Sequence, residues 1–174
     1  RLQNGSTIIR KNSPKDVEGF WESKGKPNAQ YRLYAYLLKA GFYVLRVEYW
    51  EDTGYQFISE KDGRSVEVYG PPSFSPDRSM LFVAESTPYW SSGETTELTI
   101  CSLKSGTLSK IWSHTTENWP PVASFWISNN EIHLYERQQK GSRLTRGRKL
   151  GVVRFSNGRW TLIEEVKGKS RKVK

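Results

Sequence analysis

Hydrophobic and polar residues alternate along most of the chain, which is the pattern of half-buried β-strands. No stretch of a dozen residues has the 3.6-residue period of an amphipathic helix, and β-branched and aromatic residues dominate the alternating runs. The pattern predicts eleven strands, at residues 31–38, 42–50, 54–59, 65–69, 79–85, 95–103, 107–113, 122–127, 131–136, 149–155 and 159–166. We therefore expect an all-β fold of antiparallel meanders, with at most one short helix beginning near Ser13 and Pro14.

The strand predicted at residues 42–50 indicates which of its faces is buried. Every second residue from Tyr43 to Tyr49 is aliphatic or aromatic, whereas the opposite side carries Arg46 and Glu48. Because charged residues are rarely buried in a core, we expect the side containing the two tyrosines to face the core.

Short glycine-containing segments separate many of these strands and predict hairpin turns. They lie at residues 61–63 (KDG), 104–106 (KSG) and 156–158 (SNG). Asp-Gly and Asn-Gly adopt positive φ at low cost and favour turns that match the twist of the flanking strands.

The strands fall into three groups, of four, three and four, and the second and third groups are similar to each other. Asp77 and Asn130 occupy matching turns 53 residues apart, and Gly106 and Gly158 are 52 residues apart. Four strands in a repeat of about 40–55 residues is typical of propeller blades.

Residues 74–77 (FSPD), followed by the apolar run 80–83, resemble the F-S-P-D-G-x-x-L blade opening of TolB-type and WD-like β-propeller repeats. The chain departs from that pattern at Arg78, where those repeats prefer Gly, and it lacks the terminal Trp-Asp pair of WD repeats. The resemblance implies two to three four-stranded blade-like units in an open or partial propeller. A small barrel or sandwich built from the same hairpins is the alternative, and no functional residue carries over.

The length of 174 residues predicts a single domain spanning 1–174, with a less regular N-terminal segment, 1–30. No apolar run reaches 18 residues, so we expect no transmembrane segment. A single cysteine excludes an internal disulfide and a multi-cysteine zinc site. There is no phosphate-binding glycine loop and no G-x-S-x-G, and we predict neither a cofactor nor a metal.

Few residues are candidates for catalysis. Cys101 lies in an alternating strand and is expected to be a buried apolar residue. His114 and His133 fall in no recognisable nucleophile motif. Glu51 and Asp52 are adjacent carboxylates in a turn, and they keep a carboxylate-based hydrolase open as the second alternative function.

Positive charge is concentrated at the C-terminal end of the chain. The net charge is +9, yet residues 137–174 alone hold 13 basic residues against two acidic ones. We expect a basic loop at residues 138–149 and a flexible basic tail at 167–174. The candidate binding residues of that loop are Arg143, Arg146, Arg148 and Lys149, because basic side chains attract an anionic partner. The alternative is a solvated loop that serves only solubility.

Aromatic residues also lie in two of the longer gaps between strands. Tyr89, Trp90 and Trp119 are candidates for an anchor patch that binds a partner protein or a sugar ring. The alternative is that they close the end of the core.

The sequence favours a non-enzymatic binding module that recognises a protein or an anionic surface. A nucleic-acid-binding protein that uses the basic C-terminal region is the first alternative. The aromatic, Ser/Thr-rich strands favour a bacterial protein in an extracytoplasmic setting, periplasmic or secreted. The sequence leaves the oligomeric state open.

Overall fold

The computed structural model describes residues 7–8, 29–49, 53–86, 95–117, 119, 122–140, 143–166 and 169–172. These residues include no helix, and so no helix that is long and apolar enough to cross a membrane. The helix expected near Ser13 lies outside them. The strands are β1 Gln30–Leu37, β2 Phe42–Glu48, β3 Thr53–Ser59, β4 Ser65–Tyr69, β5 Ser73–Phe74, β6 Met80–Ser86, β7 Thr95–Lys104, β8 Thr107–Glu117, β9 Val122–Ser128, β10 Glu131–Lys140, β11 Arg143–Ser156, β12 Arg159–Val166 and β13 Lys169–Lys172.

The strands form three sheets, each a meander of sequential neighbours. Their orders are β1-β2-β3-β4, β5-β6-β7-β8 and β13-β12-β11-β10-β9. All eleven predicted strands are present, and the prediction of an all-β fold of four-stranded meanders is confirmed. Within the described ranges each sheet has two edge strands, so none closes into a barrel.

Two strands are additions to the predicted set. Strand β5 has only two residues, too few to show alternation. Strand β13 pairs with β12 from Val166↔Lys169 to Ile163↔Lys172, so this part of the expected flexible tail is a sheet edge.

The hairpin turns predicted at residues 104–106 and 156–158 are confirmed by the backbone angles. Ser105 and Gly106 have φ of 49° and 75°, and Asn157 and Gly158 have φ of 53° and 76°. Positive φ at both central residues is the mark of the type I′ turn, which matches the right-handed twist of the strands.

The chain divides into two compact units. One consists of Arg1–Pro71 and Leu103–Leu108, and the other of Pro72–Ser102 and Ser109–Lys174. The single domain expected from the length stays a prediction, because a division into compact units does not show which parts fold together.

In the first unit, the prediction of the buried face of β2 is wrong. Phe42 and Val44 are 1% and 0% exposed, whereas Tyr43 is only partly buried. Val44 pairs with Phe57 of β3, and the rings of Phe42 and Phe57 meet edge to face at 5.9 Å. This face is therefore the core of the sheet.

The two charged residues that argued against this face lie at the far end of β2. Arg46 and Glu48 form an ion pair of 3.4 Å, and Glu48 also lies 3.8 Å from Arg32. One face of β2 is therefore buried along the first half of the strand and exposed to solvent along the second half. Val47 is the one residue of the predicted face that is fully buried.

The second unit has a continuous apolar core contributed by its two sheets. Its buried members are Phe82, Leu98, Ile100, Val122, Ile132, Leu134, Leu150, Val153 and Leu162. At the rim of this core, Trp126 Nε1 donates a hydrogen bond of 2.9 Å to the carbonyl of Ser73, and its ring meets Trp160 edge to face. This bond links β9 to β5, so the two sheets are joined by hydrogen bonding as well as by apolar packing.

The FSPD segment forms a hydrogen-bonded turn between β5 and β6. Ser75 is buried; its hydroxyl donates to Asp77 Oδ1 at 2.7 Å, and it accepts the Met80 N–H at 3.0 Å. Asp77 Oδ1 also accepts the N–H and the hydroxyl of Ser79. Arg78 has φ of 59°, the left-handed region in which an L-residue other than Gly is strained. Glycine, which the F-S-P-D-G pattern has at this position, would adopt this φ without that strain.

We expect Arg78→Gly to raise the free energy of unfolding by about 0.5–1 kcal/mol. The gain comes from relief of left-handed strain, less the greater flexibility of glycine in the unfolded chain. Urea denaturation measures the change, with Arg78→Ala as the control, because alanine loses the side chain but keeps the strained Cβ. Equal stability of the Gly and Ala variants would contradict this explanation.

We expect Asp77→Asn to destabilise the protein near neutral pH and to matter much less in acid. The backbone N–H of Ser79, with the hydroxyls of Ser75 and Ser79, lowers the pKa of Asp77. A lowered pKa contributes stability above the unfolded value of 3.8, and this contribution is lost as pH falls through the folded value. Denaturation at pH 7 and at about pH 2.5 tests the difference. A gap between wild type and variant that is independent of pH would show that the charge has no role.

Candidate functional site

Strands β10 and β11 continue beyond their sheet as an antiparallel pair, residues 137–140 and 143–149, which we call the basic ribbon. Strand β9 pairs with β10 only as far as Val122↔Glu136, and the pairing of β12 with β11 runs from Arg159↔Ser156 to Glu164↔Gly151. Past those points β10 and β11 still pair with each other, up to Lys140↔Arg143. In the described part of the chain, the ribbon is therefore a finger two strands wide.

Register shifts separate this finger from the buried half of the sheet. They fall between Leu134 and Tyr135 and between Tyr135 and Arg137. On the sheet side Ile132 and Leu134 are fully buried in the core. Irregularities of this kind bend a strand and increase its twist, so the ribbon does not simply extend the plane of the sheet.

The ribbon contains six basic residues and no acidic residue. They are Arg137, Lys140, Arg143, Arg146, Arg148 and Lys149. The register sets basic residues directly opposite one another, Arg137 with Arg146 and Lys140 with Arg143. Like charges on directly opposite residues of paired strands are in general destabilising.

The prediction of a loop at residues 138–149 is wrong, because the backbone of 138–140 and 143–149 is β-strand. The sequence shows no alternation of apolar and polar residues here, because almost every residue of the segment is polar. A signal was nevertheless present: Gly141-Ser142 between two runs is a two-residue hairpin pattern, and the pairing of Lys140 with Arg143 spans those two residues.

Two of the basic residues hold the base of the ribbon. Arg137 donates a hydrogen bond of 3.2 Å to the carbonyl of Val122, and Lys149 forms an ion pair of 2.9 Å with Glu165. Both contacts tie the ribbon to a neighbouring strand of its own sheet. Arg148, by contrast, is exposed.

Four of the predicted site residues lie on the same strand. Arg143, Arg146, Arg148 and Lys149 lie in sequence along β11. Trp119 packs, partly buried, against the core of the second unit, and the Thr96 hydroxyl donates to its carbonyl. Trp119 therefore contributes to packing, while Tyr89 and Trp90 lie outside the described residues.

Sequence reasoning missed a polar cluster on the same sheet. Glu131 accepts a hydrogen bond of 2.8 Å from Arg154 and lies 2.7 Å from His133 Nε2. These two partners, His133 first, lower the pKa of Glu131. The i, i+2 spacing of Glu131 and His133 is visible in the sequence, but the approach of Arg154 depends on the β10–β11 register.

The surroundings of the candidate catalytic side chains that the structure describes do not resemble those of a catalytic site. Cys101 is buried, as predicted, and burial raises the pKa of its thiol. His114 stacks on Trp112 at 6.1 Å. Asp62, Asp77, Glu97 and Glu131 have lowered pKa values, the opposite of what a general acid needs. Glu51 and Asp52 lie outside the described residues, and those that are described contain no cluster of three metal-ligating side chains.

We expect the triple variant Arg143→Ala, Arg146→Ala, Arg148→Ala to leave the melting temperature unchanged or to raise it slightly. Surface substitutions change stability by about 0.5 kcal/mol or less each, and here they remove repulsion between paired basic residues. Any rise should shrink in about 1 M salt, because salt screens that repulsion.

Arg154→Ala on the same strand is the matched control for this measurement. It removes the bond to Glu131 and should lower the stability by about 0.5–1 kcal/mol. A triple variant that unfolds several degrees below wild type would show that the ribbon arginines stabilise the fold.

Comparison with known proteins adds no assignment to this geometry. No family model matches the chain, and neither a curated protein nor a solved structure matches it. The functional interpretation therefore rests on the basic ribbon itself.

Proposed function

We propose that the protein is a non-enzymatic binding module that holds an anionic partner on the basic ribbon. The observation that carries this proposal is the register of β10 and β11, which sets basic residues opposite basic residues in a finger beyond the sheet. Such an arrangement costs stability in the free protein, and a bound anion would remove that cost.

The β-structure of the ribbon supports recognition rather than mere solubility. A solvated loop scatters its charges over many conformations, whereas paired strands hold successive residues at a rise of about 3.3 Å. The base of the ribbon is also fixed, by the contacts of Arg137 with Val122 and of Lys149 with Glu165. The backbone that carries these charges is therefore already ordered before a partner binds. Binding then costs less conformational entropy than it would with a flexible loop.

The finer features expected from the sequence belong to the same proposal. Tyr89 and Trp90 would supply a second, aromatic contact if the partner is a protein. The scaffold would be an open, partial propeller; the two four-stranded meanders, the five-stranded meander and the left-handed Arg78 support this. An extracytoplasmic bacterial setting remains part of the proposal.

Elution from a heparin column tests the proposed function. We expect the triple variant at Arg143, Arg146 and Arg148 to elute at clearly lower salt than wild type. The control replaces Arg64, Lys104 and Arg159 by alanine; these residues are exposed and lie outside the ribbon. Both variants lose three positive charges, so only the position of the charges differs between them.

Co-elution of the two variants would show that net charge, not the ribbon, causes retention. A wild-type protein that fails to bind at about 50 mM salt would contradict the proposed function altogether, since electrostatic binding is strongest at low salt.

A further inference from the structure

We propose that the anionic partner of the basic ribbon is a B-form DNA duplex and that the ribbon enters its major groove. This inference rests on the proposed function, because it names the partner of the same site. Three properties of the ribbon lead to it: its shape, the distribution of its charges and the kinds of residue that it lacks.

The shape of the ribbon fits a groove better than a flat surface. Two paired strands lie about 4.8 Å apart, and the major groove of B-form DNA is about 12 Å wide and about 8.5 Å deep, which admits a two-stranded ribbon. The four residues Arg137–Lys140 rise by about 10 Å, enough to span that depth. A flat anionic surface would meet only the tip of such a finger.

The charges are distributed over both strands of the ribbon. Arg137 and Lys140 lie on β10, whereas Arg143, Arg146 and Arg148 lie on β11. A groove has phosphates along both of its rims, so a ribbon inside it places each strand beside one rim. Four of the six basic residues are arginines, whose planar fork suits both phosphate oxygens and the guanine edge in this groove.

The residues that the ribbon lacks argue against the other anionic partners. Residues 137–149 contain no aromatic side chain, and proteins that hold single strands use aromatic rings on which bases stack. Leu144 is the only large apolar residue of the segment, which is too little to anchor it in a lipid bilayer. An acidic protein or glycan remains as an outcome of the test.

The contacts at the base of the ribbon set the expected number of phosphate contacts. Arg137 and Lys149 already have partners within the sheet. If Lys140, Arg143, Arg146 and Arg148 each neutralise one phosphate, the logarithm of the binding constant should fall against the logarithm of salt with a slope of about −3.6. Between 50 and 200 mM salt, affinity should then decrease about 150-fold.

Fluorescence anisotropy with the full chain tests the inference. The labelled probes are a mixed-sequence DNA duplex of about 20 base pairs, one of its single strands, a heparin oligosaccharide and a poly-glutamate peptide. We expect the duplex to bind more tightly than each of the other probes at equal salt. Methyl green, which occupies the major groove, should displace the protein, whereas netropsin, which occupies the minor groove, should not.

Two variants test whether the ribbon residues cause the salt dependence of binding. The triple alanine variant at Arg143, Arg146 and Arg148 should reduce the slope to about −0.9, the contribution of one remaining contact. The charge-matched variant at Arg64, Lys104 and Arg159 should keep the wild-type slope. An unchanged slope in the ribbon variant would overturn the inference.

The remaining outcomes separate this inference from the proposed function. If heparin, poly-glutamate or the single strand binds as tightly as the duplex, or if netropsin displaces the protein, the duplex assignment is wrong and the binding module stands. If wild type binds none of the four probes, the proposed function itself is wrong.

Discussion

Hairpin register is the constraint on which the rest of this structure depends. The type I′ turn at Asn157 and Gly158 sets Phe155 opposite Trp160 and Val153 opposite Leu162. Because side chains alternate between the faces of a strand, a slip of one residue would move Val153 and Leu162 from the core to solvent. The turns thus decide which residues are buried, and burial in turn stabilises the turns.

The same rule that orders the core also orders the charges of the ribbon. Within the sheet, register pairs apolar residues such as Ile132 with Val153, and their burial stabilises the fold. Beyond the sheet it pairs Arg137 with Arg146, which has no comparable benefit to the free protein. Functional sites often contain residues that do not favour folding. The paired basic residues of the ribbon are an arrangement of this kind.

Some of the differences between prediction and structure have a common cause. The exposed Arg46 and Glu48 suggested that one face of β2 was solvated, but the start of that face packs on Phe57. The polar run before Lys149 suggested a loop, but hydrogen bonding to β10 makes it a strand. In both cases the sequence shows the polarity of a segment, whereas its neighbours decide its conformation and burial.

Alternation, β-branched residues and glycine turns by themselves determined that this chain forms antiparallel hairpins, because those signals act within a few residues. They also located nearly every strand and the basic segment. Only the tertiary structure decided which face of β2 is buried, that Arg78 takes left-handed φ, and that Glu131 meets Arg154. Most of these outcomes depend on pairings between residues that are distant in sequence. The free energies of such pairings cannot be inferred from a local sequence pattern.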